Sequence, residues 1–282
     1  MAAREDLVRV FEDTEQWYRE DAELKTSIQA SIQGTEFYAE GDTPSIPDAK
    51  YEKTIISVNK YRSLETAMFY RRKFPNARIG IHNFASATNP GGGVRKGSRA
   101  QEEALCRCMT LLPVLETEEN WERFYRFHRK RGDSVYTSAC LYTPDILAIK
   151  TDTEMPSRMK RDKWQAFDVL TMAAPNLRLR PNNPMNPGNS RAANLTEREL
   201  FDVHAVRARH LLSIASHHGV EILVLGAFGC GAFENDPEVV ARAYRDVLSE
   251  FDGKFREVSF AVYCTPRDRR NFDVFSKMLG CN

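Results

Sequence analysis

Apolar residues along this chain alternate between helical and extended spacing, and the alternation repeats. Leu7, Val8, Val10 and Phe11, then Trp17 and Tyr18, recur among charges over residues 4–21, which predicts an amphipathic helix. Residues 35–50 carry Gly41, Pro44 and Pro47 and read as a loop. Thr54–Val58 predicts a strand, and Ser63 opens a helix to about Lys73 that Pro75 ends. Arg78–Ala85 predicts a second strand running directly into a glycine-rich segment. Beyond it, a helix from about Ala100 carries Leu105, Cys106, Met109 and Leu112 before Pro113. Tyr142-Thr143-Pro144 and then Ile146–Lys150 suggest a strand near a sheet edge, residues 151–163 a charged surface excursion, and Phe167–Asn176 a buried strand. Residues 178–193 hold Pro181, Pro184, Pro187 and Gly188 and read as a flexible surface loop with the character of a lid. Thr196-Glu197-Arg198-Glu199 has the form of a capping box for a helix that Gly219 stops near His218. Glu221–Leu225 is continuously apolar after its first residue, as for a strand covered on both faces. Asp236 and Pro237 fit the cap and first position of a helix whose stripe runs from Val239 to Phe251. Val258–Tyr263 and a helix over 269–279 complete the chain.

Strands alternating with helices imply a mostly parallel sheet with helices on both faces, an α/β/α domain from about residue 51 to 282. Residues 1–50 then form an N-terminal helical extension packed on that core. Glycine segments at the carboxyl ends of two strands place a ligand in the crevice there.

Composition removes other classes. Among 282 residues, 40 Lys and Arg face 39 Asp and Glu, so bulk charge points neither to a nucleic-acid binder nor to a membrane surface. Trp121, Phe124, Tyr125, Phe127 and His128 interleave with arginines and could form a nucleic-acid platform. A helix burying Trp121, Phe124, Tyr125 and His128 accounts for the pattern better. Six scattered cysteines lack zinc or redox spacing, and no segment resembles a signal peptide or a membrane span, so a reducing, cytoplasmic setting is expected. The six histidines show no ligand spacing, no metal or cofactor is required, and His217-His218 reads as a charge complement to a helix end.

The chemistry concentrates in Asn89-Pro90-Gly91-Gly92-Gly93-Val94-Arg95-Lys96-Gly97-Ser98-Arg99-Ala100-Gln101-Glu102-Glu103. Three consecutive glycines are costly to order and suit positive φ or close approach of backbone to a ligand. A helix N-terminus after such a loop offers bare amides to an anion, and two acids follow at once. Gly226-Ala227-Phe228-Gly229-Cys230-Gly231-Ala232-Phe233 is the second loop. Neither is a Walker loop, and the second nearly spells a dinucleotide fingerprint but lacks an acid at the end of the next strand. Together they suggest a phosphorylated substrate held and cleaved.

Gly91-Gly92-Gly93, seven residues, then Gln101-Glu102-Glu103 resembles the signature of macrodomain-type poly(ADP-ribose) glycohydrolases. Asn83–Pro90 and the Gly226–Phe233 loop resemble the microbial branch. The resemblance implies a three-layer α/β/α macrodomain with a mixed, mostly parallel sheet. It implies a hydrolase that reverses ADP-ribosylation by cleaving the ribose–ribose O-glycosidic bond of poly(ADP-ribose). ADP-ribose, its polymer or ADP-ribosylated macromolecules would be the partners, with no membrane and no stable protein partner implied. Glu103 would be the catalytic acid/base. Glu102 and Asn89 would hold ribose hydroxyls, with Gln101 bracing the turn, and Gly91–Gly93 and the second loop would cradle the diphosphate. Phe228 and Phe233 would wall the ribose or stack on adenine, or else pack beneath the loop. A mono-ADP-ribosyl hydrolase and a non-catalytic ADP-ribose reader are the alternatives, and the retained pair of acids argues against the reader.

Overall fold

The computed structural model describes residues 2–280. The chain before residue 51 supplies more than one helix. α1 (Arg4–Glu20) is followed by α2 (Ala22–Gln33), which starts where Asp21 accepts hydrogen bonds from the amides of Glu23 and Leu24. Next comes β1 (Glu36–Tyr38), inside the stretch expected to be a loop. Its three residues pair antiparallel with Cys140–Tyr142 and cap that edge of the sheet.

The core follows in order: β2 (Ile55–Asn59), α3 (Ser63–Lys73), β3 (Ile79–Ala85), α4 (Gln101–Cys108), α5 (Leu112–Leu115) and α6 (Glu118–Asn120). α6 continues through a π-helical stretch (Trp121–Arg126) into α7 (Phe127–Arg131). Then come β4 (Cys140–Ala148), β5 (Gln165–Ala173), α8 (Glu197–His217), β6 (Ile222–Leu225), α9 (Pro237–Leu248), β7 (Glu257–Ala261) and α10 (Arg270–Leu279). Seven strands lie in the order β1-β4-β5-β3-β6-β7-β2. The pairs among β5, β3, β6, β7 and β2 are parallel, and β4 joins β5 and β1 antiparallel, so the sheet is mixed and mostly parallel.

Alternation along the strands builds two cores. Phe167, Val169, Ile222 and Val224 face Phe11, Leu24, Leu64, Leu105 and Phe124. Leu170, Met172, Leu223 and Leu225 face Leu211, Val240, Tyr244 and Phe275 on the other side. This is a three-layer α/β/α fold.

Several expectations change here. β4 begins at Cys140, two residues before the expected strand, ends at Ala148, two residues short of its expected end, and carries Pro144 at a register shift between Thr143 and Ile146. A bulge is where a proline fits, because it lacks the amide that a ladder needs. α4 stops at Cys108, where the Met109 amide bonds Leu105 O and Met109 bridges to Ala148, so Leu112 belongs to α5. The 118–131 helix buries Phe124, Tyr125 and His128, while Arg123 and Arg126 pair with Glu119 and Glu122. Arg129 donates instead to Thr88 O, and Arg131 pairs with Asp133 just past the helix. His218 does more than cap a helix end: its ring stacks on Tyr142 at 3.5 Å, and burial lowers its proton affinity. Among the described residues no helix is long and apolar enough to cross a membrane.

Candidate functional site

A cavity of about 950 Å³ lies where β3 runs into α4 and β6 into the second glycine loop. Gln101 ties the first junction: its Oε1 accepts from Phe84 N (2.9 Å), and its Nε2 donates to His82 O (2.7 Å) and Ser63 Oγ (3.1 Å). All its polar groups are used within the chain, in keeping with a brace. The first turn of α4 then turns Glu102 and Glu103 inward, both buried and both in the cavity wall.

Glu102 Oε2 accepts from Ser86 N (2.8 Å) and its Oε1 from Asn83 Nδ2 (3.4 Å). Burial and then the Glu103 charge push its carboxyl well above the ordinary range, against the pull of the Ser86, Asn83 and Gly91 donors. Burial also raises Glu103, opposed by the Gly93 amide, which donates to its Oε1 (2.9 Å), and by the Arg107 guanidinium.

The triple glycine is explained by these acids. Gly91 and Gly92 have φ of +66° and +54°. A Cβ on Gly92 would lie 2.6 Å from Glu103 Oε1 and 3.2 Å from Glu102 Oε2, so any side chain would displace the carboxylates. The amides are committed as well: Gly91 to Glu102, Gly92 to Asn89 O (2.9 Å) and Gly93 to Glu103. These are the amides expected to cradle a diphosphate. They hold the acids, and only Gly92 of the three lines the cavity. Asn89, expected at the ribose, instead donates from Nδ2 to Gly92 O and closes the turn, away from the cavity wall.

The second loop differs. Ala227, Phe228, Gly229, Gly231, Ala232 and Phe233 line the cavity, whereas Gly226 and Cys230 do not. Gly226 is needed because a Cβ would meet Ala261 O at 2.7 Å. Gly229, at φ +78°, is pressed by Ala174 and Asn235. A Cβ on Gly231 would meet nothing within 4 Å. Among the described residues the amides of Gly229, Gly231 and Ala232 have no hydrogen-bond acceptor. Phe228 is fully buried against His82 and Phe84, so it packs beneath the loop. Phe233 is half-buried at the wall, with the Arg178 guanidinium 5.6 Å from its ring centre.

Two asparagines missed by sequence reasoning organise the site. Asn235 Nδ2 donates to Pro175 O, Gly229 O and Phe233 O, and its Oδ1 meets His204 Nε2 at 2.8 Å, which fixes the second loop. Asn186 Oδ1 accepts from Ser86 Oγ (2.9 Å) and Thr88 Oγ1 (3.1 Å), while its Nδ2 donates to Tyr136 Oη and Pro181 O. It pins the 178–193 segment onto the first loop, so that segment is more than a flexible surface loop: Asn183, Met185 and Asn186 form cavity wall. An asparagine in a proline-rich stretch carries no sequence signal that separates this role from turn formation.

A layered α/β/α sheet with a ligand cavity at the carboxyl ends of parallel strands, and buried acids beside a glycine turn, defines a macrodomain-like enzyme. The chain belongs to the microbial-type PARG family, whose catalytic-domain model matches residues 8–151. It is similar to the crystal structure of poly(ADP-ribose) glycohydrolase (PARG) from Thermomonospora curvata, at 26% identity and a TM-score of 0.79, over 97% of this chain and 99% of that one. The same figures hold for the Thermomonospora enzyme bound to the inhibitor ADP-HPD. The Deinococcus radiodurans PARG in complex with ADP-ribose is 27% identical with a TM-score of 0.72, over 89% of this chain and 96% of that one. No curated protein matches the chain. The family makes this chain a glycoside hydrolase of the poly(ADP-ribose) glycohydrolase type.

Proposed function

We propose that the enzyme releases ADP-ribose from poly(ADP-ribose) with Glu103 as general acid and base. Protonated Glu103 donates to the departing 2′-oxygen of the neighbouring ribose as the C1″–O2′ bond breaks. The resulting carboxylate takes a proton from the water that attacks the anomeric carbon, which restores the acid and leaves ADP-ribose plus a polymer shortened by one unit. The observation that carries this reading is a buried carboxyl in the cavity wall whose proton affinity is raised by burial, as a group that must begin protonated requires.

Glu102, further buried and held by Ser86 and Asn83, faces ribose hydroxyls as a fixed hydrogen-bonding partner. The diphosphate lies along Gly229, Gly231 and Ala232, whose amides are open to an anion. Phe233 walls the distal sugar. The five described cysteines are free thiols, in keeping with a reducing, cytoplasmic setting.

The test is turnover of labelled polymer and of mono-ADP-ribosylated protein by the parent and by Glu103→Ala. The parent is expected to release ADP-ribose from polymer, and Glu103→Ala to lose about 10²–10⁴-fold in turnover while still binding ADP-ribose. Turnover in that variant within about tenfold of the parent removes Glu103 from the role. Cleavage of mono-ADP-ribosylated protein with inert polymer would transfer the site to the mono-ADP-ribosyl hydrolases.

A further inference from the structure

Glu103 is held through a closed circuit of hydrogen bonds that begins and ends on α4. Residues four apart on a helix share a face, so Arg107 stands one turn beyond Glu103. It is 4% exposed and lines the same cavity. Arg107 Nη1 donates to Ser98 O (2.6 Å), Ser98 N donates to Gly93 O (3.1 Å), and Gly93 N donates to Glu103 Oε1 (2.9 Å). The loop from Gly93 to Ser98 is thus clamped between two side chains of one helix face. Its two ends are in close contact, because a Cβ on Gly93 would lie 2.2 Å from Ser98 Oγ. The backbone of Arg107 is fixed in turn by α1, where Thr14 Oγ1 donates to Arg107 O (2.6 Å).

We infer that Arg107 is a positioning residue of the reaction: it holds the glycine loop so that Gly93 presents its amide to Glu103, and it keeps a cation one turn from that acid. This rests on the reading of Glu103 above. The surroundings are consistent with it. Glu102 and Cys106 share α4 with the acid, while Cys108, Arg62 at the start of α3 and Asp152 after β4 surround Arg107. Arg107 opposes the rise that burial imposes on Glu103. Removing its charge therefore lets Glu103 keep its proton to higher pH, so the alkaline limb of kcat, where the general acid is lost, moves up.

The experiment compares Arg107→Met, Arg107→Gln and Arg107→Lys in the full chain, with Glu103→Ala alongside. The readouts are the pH profile of polymer turnover, ADP-ribose affinity and melting temperature. Arg107→Met is expected to lose about tenfold or more in kcat, because the acid is no longer held in place, with ADP-ribose affinity within about threefold. Both neutral variants should move the alkaline limb to higher pH, and Arg107→Lys should restore limb and rate. If the methionine variant does not fold, the glutamine variant, which can still donate to Ser98 O, decides: an unshifted limb overturns the inference. A loss in the methionine variant that only tracks a lower melting temperature, with no shift of the limb, also overturns it. An inactive Glu103→Ala beside Arg107 variants that behave like the parent rejects this inference alone. An active Glu103→Ala rejects the catalytic reading itself.

Discussion

The two glycine loops look alike in sequence and differ in what their backbones do. In the first, every glycine is required by something inside the protein: Leu112 against Gly91, the acids against Gly92, Ser98 against Gly93 and the Arg4 carbonyl against Gly97. Its amides are consumed by Glu102, Asn89 and Glu103. In the second, packing requires Gly226 and Gly229 but not Gly231, and several amides stay open along the cavity. One loop holds the protein's own acids, and the other leaves amides open along the cavity. A glycine run is thus evidence of close approach but does not reveal whether the approaching group is a substrate or the chain itself.

The largest effect expected from breaking this contrast is at Gly92. Gly92→Val puts a branched side chain at φ +54° and against both carboxylates, which should cost about 1–3 kcal/mol of stability. Turnover should fall further than ADP-ribose affinity, measured by calorimetry beside a polymer assay, and a loss confined to affinity would return the first loop to the role of diphosphate cradle.

A smaller effect, dependent on pH, is expected for Glu102→Gln. The folded carboxyl titrates above its unfolded value, so its burial costs nothing below the unfolded pKa and costs progressively more as pH rises through the folded one. The stability of the variant relative to the parent should therefore improve from acidic to alkaline pH, and a pH-independent difference in melting temperature would mean that the donors around Glu102 fully offset its burial. The smallest change in stability belongs to Gly231→Val, within about 0.5 kcal/mol because its Cβ enters open space. Its ADP-ribose affinity should nevertheless fall; unchanged affinity would mean that the open amides of the second loop are not the anion site.

Much of this was legible from residue patterns. The order of β3, loop and α4, the Thr196 capping box, the continuous apolar β6 and the Asp236-Pro237 start of α9 all follow from local chemistry, and local chemistry decided them. The run Gln101-Glu102-Glu103, singled out in the sequence, lies along the cavity wall. What was illegible depends on partners far along the chain. β1 is three residues long and exists because β4 offers it a ladder more than a hundred residues away. The amides of Gly91 and Gly93 meet acids ten or so residues on, and only the fold shows which way they point. Asn186 and Asn235 gain their roles from the three segments that each brings together.

The contact between Arg4 and Gly97 sets the size of the working unit. Arg4 Nε donates to Lys96 O (2.6 Å), Arg95 reaches Glu15 and Glu116, and Gly97 keeps φ +69° under the Arg4 carbonyl. The first helix is therefore a retaining wall for the turn that carries the acids. Trimming the protein down to its sheet and flanking helices would leave the strands their partners but would free the turn on its outer side, so the catalytic module is defined by what steadies its loop as much as by what completes its sheet.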